Sequence, residues 1–285
     1  MILFPNCKIN VGLHITSKRP DGYHNIETVM VPVGWSDVIE VVERDAQIIN
    51  EDLVTGSYLS EKVNFYSYGN PIPGEAENNL CIKVYHLLED WFNLPAIDIH
   101  LIKNVPIGAG LGGGSADAAY CLKVLRDFFS LSISDHEAKM LLSKIGSDCP
   151  FFWDNQTAFA FGKGDEMRHI DIDVKDKWIM LVYPNIAIGT AEAYSGVKPK
   201  APKVDLELLP DLPIESWREV IENDFELSVF PQYPDIGIIK DQLYTMGAQY
   251  ASLSGSGSTM YAIFEEEPEL PSTWKKFPHW IGQLA

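Results

Sequence analysis

The chain has 285 residues, 46% hydrophobic and 11% aromatic, enough for two modest lobes or one large domain. A net charge of −18, from 22 basic and 40 acidic residues, excludes a general nucleic-acid binder, which needs a dense basic face. It does not exclude a phosphate ligand, because backbone amides and one or two lysines hold phosphate on an acidic protein.

The opening, Met1 to Lys8, is too short and too soon charged for a signal peptide. Ile9, Val11, Leu13 and Ile15 alternate with Lys8, Asn10, Gly12 and His14, which predicts a half-buried strand with Lys8 and Asn10 on its polar face. Lys18-Arg19-Pro20-Asp21-Gly22 reads as a turn. Two more strands are expected over 26–33 and 37–42. Residues 44–77 are mixed and polar, with a strand at 63–68. Asn78 or Asn79 caps a helix carrying Leu80, Val84, Leu87, Leu88 and Trp91 at helical spacing, and Ile97 to Leu101 alternates as a strand.

A glycine-rich loop follows, Pro106 to Gly114, and Ser115 is placed to cap the next helix, with Ala118, Ala119, Leu122, Leu125 and Phe129 as its apolar stripe. Ser134 and Glu137 form a capping box for a further helix that ends at Gly146. A hairpin is expected around 158–165 and a buried strand at 178–183. Residues 198–213 are proline-bearing and suit a loop, helices are expected over 214–229 and 234–246, and 251–264 reads strand, glycine-serine loop, strand. No apolar run reaches the roughly 18 residues of a membrane helix, so no membrane contact and a cytoplasmic protein are expected.

Cys7, Cys81, Cys121 and Cys149 are widely spaced, so reduced, mostly buried thiols are expected. The histidines are scattered without a zinc-binding spacing, and no protein-held metal site is expected.

The strongest chemical feature is the run Pro106-Ile107-Gly108-Ala109-Gly110-Leu111-Gly112-Gly113-Gly114-Ser115, between a strand and a helix. Glycines let backbone wrap closely around a ligand, and the helix start offers free N–H groups to phosphate oxygens. No Lys-Ser or Lys-Thr follows, so it is not a Walker A loop. Gly108, Gly110 and Gly113 match the dinucleotide spacing, but the short stretch before Asp135 opens a helix where that unit needs a strand. Three weaker features accompany the loop. An acid in a loop such as Gly146-Ser147-Asp148-Cys149-Pro150 is usually a cap or turn residue; Lys8 alone suits a solvated lysine; Leu253 to Ser258 alone suits a tight turn.

Together and in this order, these four features resemble the GHMP kinases, over essentially the whole chain. Lys8-Ile9-Asn10-Val11-Gly12-Leu13, Arg19-Pro20-Asp21-Gly22-Tyr23-His24 and Gly146 to Phe152 resemble the branch that acts on a diphosphocytidyl-tagged methylerythritol. The resemblance implies an α+β, two-lobed fold. An N-terminal ribosomal-protein-S5-like nucleotide-binding lobe would span 1–155, a C-terminal ferredoxin-like lobe 156–285, with a cleft between them. It implies ATP and Mg²⁺ as cofactors, a small-molecule substrate and no obligate protein partner. Asp148 would take the proton of the substrate hydroxyl and Lys8 would steady charge on the attacking oxygen. Residues Pro106, Ile107, Gly108, Ala109, Gly110, Leu111, Gly112, Gly113, Gly114, Ser115 and Ala116 would wrap the ATP phosphates, with Asn79, Leu80 and Lys103 near the adenine. Tyr23 and Tyr194 would hold the two faces of the cytosine, His24 would read its polar edges, and Asn10 and Thr190 would line the substrate site. Tyr23 also reads as a turn residue and Tyr194 as simple packing.

The chain departs from the family pattern where Ala116 replaces a second serine, and where Cys149 replaces a valine.

Overall fold

The computed structural model describes residues 1–44 and 51–285. Four strands open the chain: β1 (Ile2–Leu3), β2 (Asn6–Lys18), β3 (His24–Ser36) and β4 (Val38–Glu43). Strands β5 (Gly56–Leu59) and β6 (Val63–Gly69), helix α1 (Leu80–Glu89) and strand β7 (Ile97–Lys103) lead to helices α2 (Gly113–Phe128), α3 (Asp135–Ile145) and α4 (Cys149–Asp154). Then come β8 (Ala158–Phe161), β9 (Glu166–His169), β10 (Trp178–Val182), α5 (Thr190–Ser195), α6 (Ile214–Val220), α7 (Glu226–Gln232) and α8 (Pro234–Thr245). Strands β11 (Tyr250–Leu253), β12 (Met260–Phe264) and β13 (His279–Gln283) close it.

The chain divides into two compact units. One holds Met1–Cys7, Trp35–Ile107 and Gly112–Asn155; the other holds Lys8–Gly34, Gly108–Leu111 and Gln156–Ala285.

The first unit is built on a sheet of order β1-β4-β7-β6-β5, antiparallel at β4–β7 and parallel at β6–β7. Ile39, Val41, Val63, Phe65, Ile97, Ile99 and Leu101 are buried on it, as their alternation requires. The N-cap of α1 is Asn79, whose side chain accepts from Cys81 N at 2.9 Å. Trp91 was predicted on the buried stripe of this helix, but it lies past the helix end and is 51% exposed. Nor does Ser115 cap α2. Gly112, at φ +69°, takes the N-cap position, and the helical ladder starts at once with Ala116 N donating to Gly112 O at 3.0 Å. The capping box of α3 forms as its sequence dictates. Strand β5 was not legible in the polar stretch 44–77, part of which lies outside the described residues.

The second unit contains two four-stranded sheets, β2-β3-β8-β9 and β11-β12-β10-β13. Strand β2 is covered on both faces: Lys8, Asn10 and His14 are as buried as Ile9 and Val11. The polar face is closed by bonds rather than water. Asn10 Nδ2 donates to Thr28 Oγ1 at 3.0 Å, Thr28 Oγ1 to Gly12 O, and the Tyr261 hydroxyl to Asn10 O at 2.8 Å.

The single helix predicted for 214–229 is two helices. Between them the backbone leaves the helix to pair with β2, Leu13 N donating to Glu222 O at 2.9 Å and Asp224 N to Leu13 O at 2.8 Å. A tertiary ladder outweighs local propensity there. The loop predicted for 198–213 contains a 3-10 turn, Leu206–Asp211, that buries Leu206 and Leu209. Strand β13, which had no sequence signal, pairs antiparallel with β10 through Met180 and Ile281. None of the four cysteines is in a disulfide and all four are buried, as expected.

Candidate functional site

Three consecutive carbonyls in the tip of the glycine loop are held by donors from elsewhere in the second unit. Thr259 N donates to Ala109 O at 3.2 Å, Ser254 Oγ to Gly110 O at 2.9 Å, and Lys8 N to Leu111 O at 3.0 Å. In a trans peptide the carbonyl and the next N–H point in opposite directions. The amides of Gly110, Leu111 and Gly112 are therefore turned the other way, as an oxyanion cradle requires. Only glycine serves at 110: its φ is +80°, and a Cβ would sit 1.9 Å from Ser254 O. Gly108, at φ +66°, has open space where its Cβ would be. Pro106 is buried and Ile107 half-buried at the loop's first stem.

The stretch Leu253–Ser258, which alone reads as a tight turn and is one of the four features of the family resemblance, thus supplies Ser254 to the glycine loop. It is held in turn by Asn223, whose Nδ2 donates to Leu253 O at 2.8 Å and to Gly255 O at 2.9 Å. Sequence reasoning missed Asn223. Its one signal is a polar Asn-Asp pair interrupting an otherwise helical apolar pattern.

Lys8 is 4% exposed, and its ammonium donates to Asn10 Oδ1 at 2.5 Å. In the same unit, the turn before β3 is held by Arg19 on Asp21 and by Tyr23 N on Asp21 Oδ1 at 3.1 Å. Tyr23 is 64% exposed, with the Lys163 ammonium 5.6 Å from its ring centre. His24 lies flat on Tyr194, centroids 4.7 Å apart and planes 15° from parallel, and Tyr194 meets the edge of Phe225. Thr190 starts α5 and is exposed.

In the first unit, Asn79 and Leu80 open α1, and a Cβ on Gly114 would touch Leu80 Cδ1 at 4.0 Å. The start of α2 is therefore bare of side chains through Gly112, Gly113 and Gly114. Ser115 is half-buried and hydrogen-bonds to the Cys149 thiol, which burial above all pushes up to about 11. Ala116 is fully buried, so the position that carries a second serine in the family pattern is a core methyl here. Lys103 is buried with its ammonium on Asp37 and Asp117. Asp148 occupies the N-cap position of α4 without capping it; Ser147 Oγ donates to its carboxylate at 3.4 Å. The side chain of Asp148 therefore does not serve as the cap of α4.

The family models for the GHMP kinases N terminal domain and for GHMP kinases C terminal match residues 79–163 and 206–278. A 4-diphosphocytidyl-2-C-methyl-D-erythritol kinase of Parabacteroides distasonis is 44% identical over 287 residues, covering 100% of both chains. The enzyme of that name from Cytophaga hutchinsonii is 44% identical over 270 residues, covering 94% of each chain. Among solved structures, a 4-(cytidine 5'-diphospho)-2C-methyl-D-erythritol kinase superposes with a TM-score of 0.79 at 23% identity, over 99% of this chain and 98% of that one. Methanococcus jannaschii mevalonate kinase superposes with a TM-score of 0.68 at 13% identity, over 100% and 98%. These two superpositions show the shared fold.

Proposed function

The chain belongs to the 4-diphosphocytidyl-2-C-methyl-D-erythritol kinases of the GHMP family, and on that premise we propose a phosphoryl transfer from ATP to the 2-hydroxyl of 4-diphosphocytidyl-2-C-methyl-D-erythritol, a step in making isoprenoid precursors, carried by Lys8, Asp148 and the glycine cradle. The chain is a small-molecule kinase. The observation that supports the site assignment is the row of anchored carbonyls at Ala109, Gly110 and Leu111, which turns each following N–H away from the anchoring donor.

In this reading, residues 106–116 cradle the phosphates, and Asn79, Leu80 and the stem of Lys103 border the adenine. ATP supplies the γ-phosphoryl group: the substrate oxygen bonds to phosphorus as the bond to the ADP oxygen breaks. Asp148 takes the proton of the 2-hydroxyl, and Lys8 stabilises the negative oxygen while Asn10 orients its ammonium. Such a transfer asks little else of the protein than alignment and charge neutralisation. Mg²⁺ enters on the phosphates, in keeping with its preference for phosphate and water oxygens; among the described residues no three His, Cys, Asp or Glu gather to hold an ion. Tyr23, His24 and Tyr194 supply ring faces and edges for the cytosine, with Thr190 beside them. No helix of the described residues is long and apolar enough to cross a membrane, and we place the reaction in the cytoplasm.

The test is an assay of the purified protein with Mg-ATP and the cytidylated substrate, following ADP release and the phosphorylated product. CMP should compete with the substrate. Transfer to mevalonate or homoserine in its place, without competition by CMP, would reject the substrate assignment.

A further inference from the structure

Beneath the start of α2, the first unit buries one cation between two carboxylates. Lys103 ends β7 and is 3% exposed; its ammonium pairs with Asp37, and with Asp117 at 2.7 Å. Asp37 is saturated. Its Oδ2 takes Lys103, and its Oδ1 accepts Asn104 N at 2.6 Å and Val105 N at 2.8 Å. Asp117 is not. Its Oδ2 takes Lys103, while its Oδ1 is buried with no hydrogen-bond partner among the described residues.

The cluster ties both stems of the glycine loop. Asn104 and Val105 lead into it, and Gly113 leaves it so close that a Cβ there would lie 3.3 Å from Lys103 Nζ. With both carboxylates ionised, the set holds one uncompensated negative charge, an expensive state in a buried place. The oxygen open to a neutralising proton is Asp117 Oδ1. Burial, reinforced by Asp37, outweighs Lys103 and holds the Asp117 carboxyl up at about 7. The Cys81 thiol is the nearby titratable group on α1. Its hydrogen bond with Cys121, then burial, holds it well above its ordinary value, so it contributes no charge.

We propose that Asp117 is a positioning residue for the nucleotide: as a neutral acid it leaves Lys103 and Asp37 as a balanced pair bracing both loop stems, and when ionised it sets a negative charge behind the helix end that meets the phosphates. This rests on the nucleotide reading above. Asp117 lies just over one turn into α2, and an anion at the helix start favours its protonated form. By linkage, nucleotide binding must then take up protons, and affinity must fall as Asp117 ionises.

The experiment is calorimetric titration of the full chain with the magnesium complex of AMP-PNP, in buffers of differing ionisation enthalpy, for wild type and Asp117→Asn. Wild type should take up a fraction of a proton near neutral pH, and its affinity should fall about fivefold between about pH 6 and pH 8.5, the low end of linked-site couplings. Asp117→Asn, a neutral isostere, should bind without proton uptake and with a flat profile. In turnover assays the difference should appear in KM for ATP and leave kcat unchanged. Parallel profiles for the two proteins would overturn the proposal. If Asp117→Asn does not fold, wild type decides alone: binding without proton uptake sinks it. Failure of both folded proteins to bind nucleotide at any pH would overturn the kinase reading itself.

Discussion

The Lys8 ammonium donates to Asn10 Oδ1 at 2.5 Å, two residues along one strand face, in a setting where both side chains are buried. Asn10 is fixed in turn by Thr28 and Tyr261, so the lysine's direction is set by a chain of bonds. We expect Asn10→Ala to lower kcat on the order of tenfold to a hundredfold, the cost of a catalytic group displaced by about 1 Å. Steady-state kinetics should show the loss in kcat with KM for ATP little changed.

Asp148→Asn keeps the shape of a half-buried side chain that caps nothing. Thermal unfolding and nucleotide affinity should stay near wild type while turnover falls roughly 10²- to 10⁴-fold, the usual contribution of a general base. Near-normal turnover would remove Asp148 from the reaction.

Two glycines of the cradle separate fold from function. An alanine at 110 meets Ser254 O at 1.9 Å as well as a positive φ, whereas an alanine at 108 meets only the positive φ. Gly110→Ala should cost clearly more than the roughly 1–2 kcal/mol of the left-handed backbone alone. Gly108→Ala should cost about that amount, and should weaken nucleotide binding because its methyl enters the open space. Denaturant unfolding and nucleotide titration of both variants check this.

His14 is buried on β2 with neither ring nitrogen hydrogen-bonded among the described residues. Burial lowers its pKa below 6.5, a loss only partly offset by Asp224 and Glu222, with Lys200 adding to the lowering. A depressed folded pKa gives stability that is present above 6.5 and lost as pH falls toward the folded value. His14→Phe should therefore flatten the stability profile below that pH, by at most about 1.4 kcal/mol per pH unit. An unchanged slope would show that the fold does not depress the His14 pKa.

Asp117 carries the opposite sign. Its folded pKa is raised from 3.8 to about 7, so its contribution is full below 3.8 and lost as pH rises through about 7. Asp117→Asn should gain stability relative to wild type on going from about pH 5 to pH 8, as read by urea unfolding.

Local sequence determined much of this protein. The period-two runs became β2 and β7, the buried apolar run at 178–183 became β10, the Ser134–Glu137 box opened α3, and five closely spaced glycines became the cradle, because each depends on neighbours a few residues away. Function was legible for the same reason, since the chemistry sits in short motifs. Tertiary structure decided the rest. Only the pairing of Leu13 with Glu222 and Asp224 breaks the 214–229 helix, and only the bonds from Ser254, Thr259 and Lys8 say which way the cradle's amides turn. Asp37 reaches Lys103 across 66 positions, and Asn223 reaches Leu253 across 30. A buried polar atom takes whichever partner the fold delivers to it, and sequence spacing carries no record of that delivery.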